Sequence, residues 1–435
     1  MKKKCNFAWE FAINMERIKV GIEKLGRVVN SQIEIAPMMI FSGESGMGKS
    51  YLALLSHYFF DILILQNRLS NLFEDLGFVY KDMVKSFGDE GEAFTITKED
   101  IEKWMEKDSV AYLRYMLNAD KLEGKINITL PESVPHNLNF RYKREVTGLV
   151  NEGNEGIVLS IADIKYRASQ DAINDVSPYE GLLSAFLIYR IFGTLMALDS
   201  TFLMPPSRGP VLSEQVVGNS GMYKDFITDV NDLSNVLVMP KDVSADLVEQ
   251  VHDIMEGDVR KENNRFVYVT DSITMPISAA AASVREIAPL QLLIKKWDAS
   301  KTAVLIEEPE AHLHPDKQRM MADILGCMHK YGAYLHITTH SDYFLRRINE
   351  LILFQRYANT HTNEEIEKLS EKTGIKLSFA IRTDDMVAYI VERQEDGSSR
   401  VIAQDLQDGV PFSAFGAAVK ESFRVNDLIE EALVQ

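Results

Sequence analysis

The sequence predicts an α/β fold with a mostly helical insertion. Three features point there. A glycine-rich stretch, FSGESGMGKS at 41–50, sits between an apolar strand-like run, APMMI, and an apolar helix-like run, YLALLSHYFF. Two further short, bulky runs, TAVLI at 302–306 and YLHITTH at 334–340, have the unbroken apolar character of strands covered on both faces. Lys49 in the loop and Glu307 at the end of the second run stand 258 positions apart (307 less 49), more than neighbouring elements of one compact core need, so an insertion is expected between them.

The elements follow in order. Residues 5–41 read as short strands, and a long helix runs from Ser50 to about Leu76. A second helix opens at Thr97, where Thr-Lys-Glu-Asp resembles a capping box, and runs to about Asn118. INITL, LNFRYKREV and IVLSIADIKY read as strands, with NEGNEG as a turn between the last two. Residues 178–258 read as mostly helical, split by MPPSRGP at 204–210. RFVYV, from 265, is a strand, and a helix is expected from about Ser278 to Trp297. A helix separates TAVLI from YLHITTH, and the last 75 residues mix a helix, the hairpin VAYIVERQEDGSSRVIAQ and a terminal helix. The expected organisation is a first lobe over 1–75, an insertion over 76–264, the rest of the core over 265–360 and its C-terminal completion over 361–435.

Composition narrows the class. The chain of 435 residues is 46% hydrophobic and 26% charged, which is globular, and its formal net charge of -17 argues against loose, non-specific DNA binding. Cys5 and Cys327 lack partners at metal-ligand spacing and read as reduced thiols, so a cytoplasmic location is expected. Glu10 interrupts the segment after the basic MKKKC start before a signal-peptide core develops. The apolar run LLSAFLIYRIFGTLMAL carries Arg190 in its middle, which favours a buried helix over a membrane span.

Gly43-Glu44-Ser45-Gly46-Met47-Gly48-Lys49-Ser50 fits G-x-x-x-x-G-K-[ST]. Glycines let successive backbone N–H groups turn inward on a phosphate, and the following helix directs its positive end at the same anion. Lys49 is placed to reach the β and γ phosphates of a nucleoside triphosphate and Ser50 to ligate Mg²⁺. The strand Ala303–Ile306 ends in Glu307-Glu308-Pro309-Glu310. In one reading Glu307 helps hold Mg²⁺ through water and Glu308 polarises the attacking water; the plain alternative is a solvated acidic turn. His336, Thr338 and His340 share one face of the next strand. His336 reads as structural, whereas His340, at the strand's end, can reach the γ phosphate.

At this point the chain resembles the OLD and AAA15 group of ABC-type P-loop ATPases, relatives of Rad50, SMC and RecF. Four motifs carry the resemblance: GESGMGKS, AVLIEEPEAHLHPDKQ at 303–318, LHITTHSDYFL at 335–345 and FLMPPSRGPV at 202–211. It implies an ABC-type fold and a head-to-tail dimer, or a larger homo-oligomer, with ATP held between the phosphate loop of one copy and a signature helix of the other. The matching stretch is Ser278 to Glu286, where Ser283 would face the γ phosphate in trans; Val284 stands where the family usually has Gly, and an ordinary Ala-rich helix start is the plain reading. Glu307 stands where the family's Walker B Asp is usual.

OLD proteins carry a Toprim nuclease after the ATPase, but the residues after His340 show no Glu…Asp-x-Asp constellation. The resemblance therefore points to stand-alone ATPases of two-gene anti-phage systems, such as those of PARIS and Septu. It implies a scaffold and sensor that holds a separate effector, a Toprim-type nuclease, and releases it on a trigger such as a phage protein. The alternative is a RecF- or SMC-like DNA-repair ATPase that binds DNA, although no heptad arm is visible. A third reading, a nuclease with a metal site near His312 and His314, is weaker because both fall in the segment that resembles a subunit-interface loop.

Overall fold

A computed structural model describes residues 16–65, 68–78, 88–146, 155–169, 177–193, 198, 200–214, 219–235, 245–263, 265–296, 298–407, 409–410 and 423–426. Expectations for 5–15, for NEGNEG up to 154, and for most of the terminal helix lie outside these residues.

The chain opens with β1 (Lys19–Leu25), β2 (Val28–Glu34) and β3 (Met38–Gly43), then α1 (Lys49–Leu65) and α2 (Leu69–Asp75). The single helix expected to about Leu76 is thus two. Arg68 takes the N-cap position of α2 without a capping bond, its guanidinium drawn instead to Asp108. Next come β4 (Glu90–Thr97) and α3 (Lys98–Leu117). Thr97 and Asp100 form a reciprocal capping box, and Asn118 closes α3 in the left-handed conformation. Then follow β5 (Gly124–Thr129), β6 (Asn137–Val146), β7 (Glu155–Ile161), β8 (Ile164–Ser169), α4 (Ser177–Phe192), β9 (Ser200–Met204), α5 (Arg208–Glu214), α6 (Gly221–Asn235) and α7 (Ala245–Met255). The strand β9 lies inside the region read as helical: STFLM is short, mostly buried, and pairs in parallel with a core strand.

β10 (Asp258–Glu262), β11 (Arg265–Val269) and β12 (Thr274–Pro276) lead to α8 (Ala282–Lys296). This helix starts later than Ser278 because Ile277–Ala279 form a 3-10 turn and Ala280 is extended. β13 (Thr302–Glu307), α9 (Pro315–Lys330), β14 (Tyr334–Thr338), α10 (Asp342–Ala358), α11 (Asn363–Thr373), β15 (Met386–Arg393) and β16 (Ser399–Ala403) complete the described elements.

Among the described residues the main sheet has nine strands in the order β5-β1-β2-β16-β15-β3-β14-β13-β9. From β15 to β9 all neighbours are parallel, and β5-β1-β2 form an antiparallel wing. Segment 76–264 supplies both outermost strands, β5 and β9. The remaining strands form a four-stranded sheet, β4-β6-β7-β8, and a three-stranded one, β10-β11-β12. The fold is α/β.

The parallel strands are covered on both faces, as their apolar runs require. Met39, Phe41, Ala303 and Leu305 belong to one buried cluster, with α1 and the four-stranded sheet. Met38, Ile40, Val304, Ile306, Leu335 and Ile337 belong to the other, with α8, α9 and α10. Because β3, β14 and β13 are adjacent, the ends of all three strands converge on the start of α1. No described helix is long and apolar enough to cross a membrane.

Candidate active site

The loop between β3 and α1 turns the chain through two glycines that no L side chain could replace. Gly43 has φ 125°, and a Cβ there would lie 2.5 Å from the Val391 carbonyl oxygen. Gly48 has φ 102°, and a Cβ there would lie 2.7 Å from Val28 Cγ2. The Met47 side chain is buried in the core while its carbonyl accepts from Ser399 Oγ at 2.7 Å, which anchors the loop to β16.

Lys49 folds back across the loop. Its Nζ donates to the carbonyls of Gly43 at 2.9 Å and Glu44 at 2.7 Å, and lies 3.4 Å from His340 Nδ1. Burial brings the Lys49 pKa down to about 8 despite the attraction of Glu308, Glu310 and Glu307. Such an ammonium gains most from an anion that replaces the carbonyls.

Ser50 Oγ donates to Glu307 Oε2. Glu307 is buried, and burial pushes its pKa up to about 7, against the lowering effect of the Ser50 bond. Its second oxygen, Oε1, has no hydrogen-bond partner among the described residues. Glu308 differs: its carboxylate is half-exposed, 3.5 Å from His340 Nε2, and its backbone takes φ 48°. That left-handed turn, held by Glu308 N donating to Thr338 O at 3.0 Å, separates two consecutive carboxylates, one sealed beside Ser50 and one open beside His340.

His340 bridges the two. Lysine has only donors, so the Lys49 contact needs an unprotonated Nδ1, and the proton on Nε2 then faces Glu308. Burial and the neighbouring Lys49 lower the His340 pKa, which keeps the ring neutral. Glu310 fixes its backbone: Oε1 accepts from His340 N at 2.6 Å and Thr339 Oγ1 at 2.7 Å. His336 is confined to the core, with Ser56 Oγ 3.0 Å from its Nδ1 and Phe60 packed edge-on.

Lys49, Ser50, Glu307, Glu308 and His340 therefore line one cavity of about 340 Å³, with Ser45, Gly46 and Gly48. The Glu44 side chain points outward, 4.0 Å from Arg393. Ser283 lies in the first turn of α8, half-buried, and is not part of this cavity. His312 and His314 are exposed before α9, His314 lying 3.4 Å from Asp316; among the described residues no group of three or more His, Cys, Asp or Glu could hold a metal ion.

Two further residues join the site, Arg27 outside every motif and Arg208 within the FLMPPSRGPV motif but with no role assigned from the sequence. Arg27, in the β1–β2 turn, lines the cavity with Tyr51. Arg208, fully buried, donates through Nη1 to the Glu307 carbonyl at 2.8 Å and through Nε to the Glu286 carbonyl at 2.8 Å. Its guanidinium also lies 3.6 Å from the Glu286 carboxylate, whose Oε1 accepts from Gly209 N at 3.1 Å. Arg208 thus ties the end of β13 to α8, the helix that carries Ser283. The signal available was an arginine within an otherwise apolar Pro/Gly segment.

Residues 219–345 match the AAA ATPase domain. That segment holds Ser283, Glu307, Glu308 and His340 but not the glycine-rich loop. No curated protein matches the chain. Among solved structures, the SMC head bound to the C-winged helix domain of ScpA is 14% identical, covering 90% of this chain and 98% of that one, at a TM-score of 0.34. An SMC head domain from Thermotoga maritima is 11% identical, with coverages of 90% and 100% and a TM-score of 0.30. An Smc head domain with an extended coiled coil, bound to the C-terminal domain of ScpA derived from Pyrococcus furiosus, is 12% identical, with coverages of 94% and 99% and a TM-score of 0.35.

Proposed function

We propose that the protein is an ABC-type ATPase that binds ATP with Mg²⁺ in the loop at 43–50 and hydrolyses it. The observation that carries this reading is the convergence of Lys49, Ser50, Glu307, Glu308 and His340 on one cavity beside an N-terminal helix end. The oxygens of Ser50 and Glu307, one without a partner, suit a hard divalent cation. When bound, Mg²⁺ neutralises the developing charge on the β and γ phosphates. Lys49 exchanges the Gly43 and Glu44 carbonyls for phosphate oxygens. Glu308, open to the cavity, accepts a hydrogen bond from the attacking water and takes its proton. His340, held by Glu310, keeps Glu308 and Lys49 in register and contacts the γ phosphate.

In this reading two copies close on ATP, and Ser283 of each faces the γ phosphate held by the other. Arg208 supports it by tying α8 to the Glu307 carbonyl. The assembly serves as the scaffold and sensor of an anti-phage system, holding a separate Toprim-type nuclease; the four motifs quoted above support this part. The test is the solution mass of Glu308→Gln with and without ATP and Mg²⁺. Doubling on adding both is expected, and loss of the doubling in Glu308→Gln/Ser283→Arg. A mass that ATP leaves unchanged would overturn the closing dimer.

A further inference from the structure

A second cavity, of about 420 Å³, opens between α1, α3, β9 and α6, outside the phosphate-loop site. Its volume suits a small organic molecule. Three carboxylates line it: Asp61 from α1, with Asp225 and Asp229 one turn apart on α6. Like charges at that spacing repel, and a helix surface normally avoids them. Arg68 also lines the cavity and attracts Asp61, but Asp108 grips its Nε at 2.9 Å and its Nη2, so one guanidinium serves both and the trio keeps an excess of negative charge. Tyr115 Oη donates to Asp225 at 3.0 Å.

A separate observation points to a ligand. His57 Nδ1 and Tyr112 Oη have no hydrogen-bond partner among the described residues, although both residues line the cavity and are only 2% and 1% exposed. Buried polar atoms are almost always partnered. Burial and the neighbouring carboxylates push Asp61 up to about 7 and Asp229 up to about 8, so the acids favour a proton, or another cation, in their midst. The acids and His57 do not cluster as a metal-ligand set, which speaks against a single metal ion.

We propose that this cavity binds an organic cation bearing several N–H donors, an alkylammonium or alkylguanidinium group, through Asp61, Asp225 and Asp229. Its apolar body lies against Met116 and Leu203, which also line the cavity. The same chemistry arises from a free amine or from a Lys or Arg side chain of a bound protein.

The experiment is thermal unfolding and calorimetric titration of the full chain with spermidine, agmatine and the tripeptide amide Gly-Arg-Gly. Asp225→Asn/Asp229→Asn and Thr228→Lys serve as variants. Saturable binding of spermidine or agmatine, weakened at least tenfold in Asp225→Asn/Asp229→Asn, supports the proposal with a free amine as the source. Binding of the tripeptide alone, lost in the same variant, supports it with a protein side chain as the source. Thr228 stands exposed on α6 beside both acids, so Thr228→Lys supplies a tethered ammonium. It should raise the melting temperature and abolish probe binding. Failure of all three probes to bind wild type, or equal binding to wild type and Asp225→Asn/Asp229→Asn, would overturn the proposal.

Discussion

The phosphate-loop cavity and the cavity between α1, α3, β9 and α6 bury carboxylates in opposite ways. At the phosphate loop Glu307 and Glu310 are sealed beside Lys49, Ser50 and the backbone amide of His340, so each acid meets a donor or a cation. In the second cavity Asp61, Asp225 and Asp229 face one another, and the nearest cation is already committed to Asp108. The contrast teaches what buried charge is for. In the first site the charges form an interlocked set, which in the proposed reading a triphosphate and its metal complete. The second presents an excess of one sign, which a bound proton or an incoming cation relieves.

Removing a cation from the interlocked set should do the most damage. Arg208→Ala leaves the Glu286 carboxylate buried without its partner and frees the Glu307 carbonyl. The expected cost is about 3–5 kcal/mol of unfolding free energy, read from denaturant midpoints. A loss under 1 kcal/mol would show that α8 and β13 are not coupled through this residue.

Lys49→Ala removes the charge proposed to meet the phosphates. ATP affinity should fall roughly 100-fold, since Lys49 is the cation at the centre of the loop, bonded to the Gly43 and Glu44 carbonyls and 3.4 Å from His340 Nδ1. Unchanged affinity in equilibrium titration would move the nucleotide elsewhere.

The smallest effect is a pH slope that both cavities share. Glu307 and Asp61 are raised to about 7 and Asp229 to about 8, so the folded state holds more protons than the unfolded state just above pH 6.5. The stability contributed by these three acids is therefore fully present at low pH and is lost as pH rises through those values. The cleanest window is pH 6.5–7.5, above the unfolded value of histidine and below the value of about 8 for Lys49. Unfolding free energy should fall across it by on the order of 1–2 kcal/mol. Glu307→Gln and Asp229→Asn should each flatten the slope in part. A wild-type slope that both variants leave intact would contradict the burial of these acids.

The same contrast explains what was legible in the sequence. The phosphate loop is contiguous, and its partner carboxylates follow one apolar strand, so residue type and spacing alone located Lys49, Ser50, Glu307 and Glu308. The capping box at Thr97 was legible for the same local reason. The second cavity draws on His57, Tyr112, Thr201 and Asp225, which only the packing of α1, α3, β9 and α6 brings together. Strand β9 was hidden because five residues before a Pro-Pro pair carry no periodicity of their own, and its parallel pairing with β13 decides their conformation. The left-handed turn at Glu308, which gives two adjacent acids different surroundings, likewise has no signature in residue type.

In the proposed mechanism Glu308 activates water for hydrolysis of ATP bound at the loop. The most direct test is a single turnover in which wild type and Glu308→Gln are loaded with ATP and Mg²⁺ and the bound nucleotide is followed in time. Both proteins should take up ATP, wild type should convert it to ADP, and Glu308→Gln should do so on the order of 100-fold or more slowly. Equal conversion in the two proteins, or no nucleotide bound by wild type, would contradict the mechanism.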